Sequence, residues 1–94
     1  MNQKNMTPET QKLFRINILL QLRAAGRLGL TINELVLGAK AQGHSTSTAD
    51  DVREEIEYVT DKKQVEKLPQ EISPEVESFR VTANGRDWLA TQNL

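Results

Sequence analysis

Residues 45–63, STSTADDVREEIEYVTDKK, carry the pattern that most restricts the fold. Advancing about 100° per residue from Val52 gathers Val52, Ile56 and Val59 into one narrow arc, the i, i+4, i+7 stripe of a helix packed on a core. The opposite arc holds Asp50, Glu54, Glu57 and Asp61. A helix with one apolar edge and one carboxylate edge needs a core on one side and water or cations on the other. The rest of the chain must supply that core. With 94 residues it can build one modest core but not two, so a single domain is expected over residues 8–91, with a lead-in over 1–7 and a tail over 92–94.

Upstream, Thr7-Pro8-Glu9 offers an N-cap, a proline at the first helical position and an acid in the first turn. These predict a first helix from Pro8 to Gly26, whose missing Cβ suits a left-handed terminating residue. Its wheel is apolar on two sides. Leu13, Ile16, Leu20 and Ala24 form one stripe, and Phe14, Ile18, Leu22 and Ala25 form another. Two readings follow: a central helix gripped by two other elements, or a homodimer with Phe14, Ile18 and Leu22 as its seam. After the short extended piece Leu28-Gly29-Leu30, Thr31-Ile32-Asn33-Glu34 matches a capping box and starts a second helix. That helix presents Ile32, Leu35, Val36 and Ala39, with Gly38 a weak point and Gly43 its terminator. His44–Thr48 is the turn into the third helix, which Ser47 or Thr48 can cap.

Downstream the period changes from helical to two. Gln64–Leu68 and Val76–Val81 alternate polar and apolar residues, as half-buried strands do. Between them PQEISPE holds two prolines and no glycine, which predicts an antiparallel hairpin with a long, partly stiff loop. Thr82 then caps a last short helix over 83–91, whose Trp88 and Leu89 return to the core while Gly85 permits close approach or loosens the first turn.

The predicted class is α+β, mostly helical: a three-helix core, a short strand plus a two-strand wing, and a short C-terminal helix, in winged helix-turn-helix order. The chain resembles the small winged-helix domains grouped with ArsR-like and MarR-like regulators, especially short winged-helix proteins of Mu-like prophages. The resemblance covers nearly the whole chain. It is carried by GLTINELVLGAKAQGH, by DDVREEIEYVTDKKQVEK and by FRVTANGRDWLA. It implies a DNA-binding or transcription-regulatory protein with double-stranded DNA as partner. In such domains the first turns of the third helix meet base edges, while positions near the second helix and in the wing meet phosphates. Carried over position by position, the resemblance implies Ser45, Thr46, Ser47, Thr48 and Arg53 as contacts, with Lys40, Lys62, Lys63 and Lys67 as supporting cations.

Charge opposes part of that expectation. Affinity for duplex DNA comes mostly from Lys and Arg neutralising phosphates, whereas the outward edge of the third helix is acidic and the wing loop offers Glu71 and Glu75. Residues 1–44 carry six Lys and Arg against two acids, and residues 45–94 carry six against eleven, so the net charge of −1 hides a polarised chain. The alternative function is therefore a winged-helix protein-interaction module with little or no DNA affinity, docking a copy of itself or a basic protein. Catalysis is not expected. The chain has no Cys, His44 as its single His and no Gly-rich phosphate loop, so neither a cofactor nor a metal site is predicted. The cluster Asp50, Asp51, Glu54, Glu55 and Glu57 reads as a solvated helix face. Apolar runs such as Ile18-Leu19-Leu20 are too short for a bilayer and the start MNQKNMTPET is polar, so a cytoplasmic protein without membrane contact is expected.

Overall fold

The computed structural model describes residues 6–69 and 76–94. These form four α-helices and a three-stranded antiparallel sheet, in the order α1 (Pro8–Ala25), β1 (Leu30–Thr31), α2 (Ile32–Ala41), α3 (Ala49–Asp61), β2 (Val65–Lys67), β3 (Ser78–Val81) and α4 (Ala83–Thr91). A 3₁₀ turn over Gly26–Leu28 links α1 to β1. The helix starts are where the capping residues put them. Thr7 accepts from the Thr10 amide, and Thr31 and Glu34 close a reciprocal capping box. Thr48, rather than Ser47, caps α3, exchanging hydrogen bonds with Asp51. At the end of α1, Gly26 takes φ 63°, a conformation open to glycine at little cost.

The core is one cluster fed by every helix and by β2 and β3. Phe14, Ile18, Leu19 and Leu22 of α1 meet Ile32, Leu35 and Ala39 of α2, Val52, Ile56 and Val59 of α3, the strand residues Val65, Phe79 and Val81, and Leu89 of α4. The apolar stripe expected on α3 is therefore buried. The seam expected on α1 is corrected: Phe14, Ile18 and Leu22 are wholly buried within the single chain and cannot face a second copy. Helix α1 is instead the central helix, touching α2, α4 and β3, and its outer edge is Leu13 with the half-buried Ile16 and Leu20.

The sheet runs β1-β3-β2, with β3 in the middle. Leu30 faces Phe79 across the first pair, and Val65, Glu66 and Lys67 face Val81, Arg80 and Phe79 across the second. Successive side chains on a strand point to opposite faces, so Val65, Phe79 and Val81 close the core while Glu66 and Arg80 stand on the outer face. Strand α-carbon pairing is shorter than the alternation in sequence, although the Leu68 amide still bonds the Ser78 carbonyl. Apart from Pro69, the hairpin loop predicted over 69–75 lies outside the described residues. Gly85 serves close approach: a Cβ there would stand 2.3 Å from the Gln64 carbonyl oxygen and 2.6 Å from Val81 Cγ2. Among the described residues no helix is long and apolar enough to cross a membrane.

Candidate nucleic-acid interface

The contact candidates that the resemblance implies lie on the turn after α2, on α2, on α3 and just past its end, and on the first strand of the hairpin. At the turn, Ser45, Thr46 and Thr48 are exposed, but Ser47 is only 6% exposed and its amide bonds the His44 carbonyl. Ser47 is thus part of the turn's frame and not a surface group. His44 is half-buried with its ring edge-on to Phe14, the centroids 5.3 Å apart, so it helps seat the turn on the core. Ser45, Thr46 and Ser47 border a hollow shared with Met6, Thr10 and Asp51, at the start of α1.

A separate cleft of about 430 Å³ lies between α3 and the sheet. It is bordered by Arg53, Glu57, Thr60, Asp61, Lys67 and Glu77 around an apolar floor of Ile32, Ile56 and Phe79. Two cations face three carboxylates there, and the cations are already engaged. Lys67 Nζ lies 2.9 Å from Glu77 Oε2, and Arg53 is 3.9 Å from Asp50. The hydrogen bond from Lys67, then its charge, holds the Glu77 carboxyl below its ordinary value, with Arg53 adding a smaller pull. Lys40, Lys62 and Lys63 are exposed, Lys62 with its ammonium 5.6 Å from the Tyr58 ring centroid. The nine contact candidates therefore do not share one hollow: Ser45, Thr46 and Ser47 border one, Arg53 and Lys67 border another, and Thr48, Lys40, Lys62 and Lys63 line neither.

The outward edge of α3 is as acidic as its wheel requires, with Asp50, Glu54, Glu57 and Asp61 all exposed. The wider acidic cluster, however, is not one solvated face. Asp51, 5% exposed, is the capping partner of Thr48, and Glu55, 1% exposed, is paired with Arg15 at 2.5 Å. Burial pushes the Glu55 carboxyl above its ordinary value, against the hydrogen bond and charge of Arg15. The Arg15 guanidinium also lies over the Tyr58 ring, 4.3 Å from its centroid.

One cationic group went unseen in the linear pattern. Arg23, Arg27, Arg80 and Arg86, with Glu66, border a single cleft of about 470 Å³ on the outer side of the sheet. These residues come from the end of α1, the 3₁₀ turn, β3 and α4, and only the spacing of Arg23 and Arg27, one helical turn apart, hinted at a shared position. No family model, no curated protein and no solved structure matches the chain.

Proposed function

We propose that this chain is a winged helix-turn-helix domain of the regulatory kind, in which α2 and α3 form the helix-turn-helix, β2 and β3 the wing, and duplex DNA is approached weakly or with the help of a partner. The observation that supports this reading is the element order, two helices followed by a hairpin and a closing helix, together with the β1-β3-β2 antiparallel pairing. Weakness follows from charge: α3 presents four exposed carboxylates where a reading helix would meet phosphates. The resemblance to small prophage regulators supplies the biological setting of the reading, and no catalytic role belongs to it. Fold alone does not assign activity, so the DNA contact is what must be measured.

The second reading, a protein-interaction module with little DNA affinity, is favoured by the same carboxylate edge, which suits a basic protein surface. Fluorescence anisotropy of labelled random and source-genome duplexes separates the two. The proposed function expects binding at low salt that falls steeply toward physiological salt. Absence of binding to any duplex at low salt would transfer the assignment to the interaction module.

A further inference from the structure

The charge that α3 lacks is found on the other face of the sheet. Glu66 and Arg80 point away from the core side that carries Phe79, and the cleft they share with Arg23, Arg27 and Arg86 is distinct from the one beside α3. Among the described residues four guanidiniums there meet one carboxylate, a local excess of three positive charges in a chain whose net charge is −1. Glu66 is taken by Arg80, at 2.5 Å. Among the described residues, Arg23, Arg27 and Arg86 have no carboxylate partner, and all three are exposed. A basic residue at the end of a helix is favoured by the helix dipole, which accounts for Arg23 alone. It does not explain why residues from a strand and a second helix converge on the same hollow.

All four are arginines, whose planar fork matches the oxygens of phosphate and carboxylate in pairs. Among the described residues the remaining border is Gly26, Val81, Thr82 and Ala83, which offers no aromatic platform and no deep apolar pocket for the body of a small ligand or for peptide side chains. The ligand must be held through its charges. We infer that this cleft is a phosphate-binding site that takes the backbone of a nucleic acid, whose closely spaced charges match an open surface with several unpaired guanidiniums. The choice of nucleic acid rests on the proposed regulatory function; the phosphate site itself does not.

The test compares wild type with Arg27→Gln/Arg86→Gln and with Lys12→Gln, a lysine outside both the cleft and the DNA-contact candidates, all at exposed positions, after thermal unfolding has verified that each folds. Anisotropy titrations use a labelled duplex and the matching single strand over a salt series. The arginine variant is expected to lose at least about tenfold in affinity at low salt and to lower the log–log salt slope by roughly two, one per cation removed. The lysine variant should change neither. Unchanged binding in the arginine variant, or an equal or greater loss in the lysine variant, overturns the site. If wild type binds neither duplex nor single strand, inorganic pyrophosphate is titrated and Tm followed. A rise in wild type that the arginine variant lacks keeps the phosphate site and overturns both the nucleic-acid ligand and the DNA reading. No rise in wild type overturns the site outright.

Discussion

Glu55 lies on the core side of α3 with the Arg15 guanidinium 2.5 Å away. Its carboxyl is raised above 4.5 because burial outweighs the hydrogen bond and charge that Arg15 supplies. A carboxyl raised on folding favours the native state while it holds its proton. That contribution is complete below about pH 4.5 and is lost as pH rises through the raised value, above which Arg15 alone compensates the buried charge. Arg15→Met should therefore cost about 3–5 kcal/mol at neutral pH, the usual result of stranding a buried ion, and recover part of the loss on acidification through that window. Glu55→Gln removes the group that burial penalises and should cost about 1 kcal/mol or less. Urea unfolding of both variants at neutral and acidic pH is the check, and a larger loss for Glu55→Gln than for Arg15→Met would show the pair to be a net source of stability. The wheel contained half of this. Relative to Val52, Glu55 lies about 60° to one side, on the flank of the apolar stripe, so its burial was legible in principle. Arg15, forty residues away on another helix, was not.

At the scale of elements, what depends on local order was readable. Thr7, Thr31 and Thr48 cap their helices through contacts three residues on, Val52, Ile56 and Val59 face inward together, and the alternation around Phe79 and Val81 marks a half-buried strand. What depends on assembly was not. The two apolar sides of α1 gave equal grounds for a core and for a seam, and only the packing of α2, α4 and β3 around Phe14, Ile18 and Leu22 decides between them. Likewise four arginines from four parts of the chain become one cleft only after folding. The two clefts make different demands on α3. If phosphates are met on the outer face of the sheet alone, and not by α3 as the proposed function has it, Glu54→Gln/Glu57→Gln should leave duplex affinity at low salt within about twofold of wild type, because neither carboxylate borders that cleft. A gain of about tenfold or more in the same anisotropy titration would instead bring α3 to the DNA backbone.

For the molecule as a whole, the question left by α1 is whether a second copy has any place to pack. Phe14 is fully buried among residues of the same chain and touches the His44 ring, so an interface through it would require the domain to open. Leu13, the next residue, is 58% exposed and stands on the outer edge with Ile16 and Leu20. Phe14→Glu would strand a charge in the core and forfeit the packing of an aromatic ring, a loss of about 3–5 kcal/mol from packing alone against a total stability on the order of 5–15 kcal/mol. The variant should lose its helical circular dichroism and its cooperative thermal transition. Leu13→Glu removes little buried surface and should stay folded, with stability within about 0.5 kcal/mol of wild type. Sedimentation of the folded protein then tests the outer edge directly. A wild-type dimer that Leu13→Glu disperses would put self-association on Leu13, Ile16 and Leu20. A folded, monomeric Phe14→Glu would instead mean that Phe14 is an interface residue and that the core described for this domain is wrong.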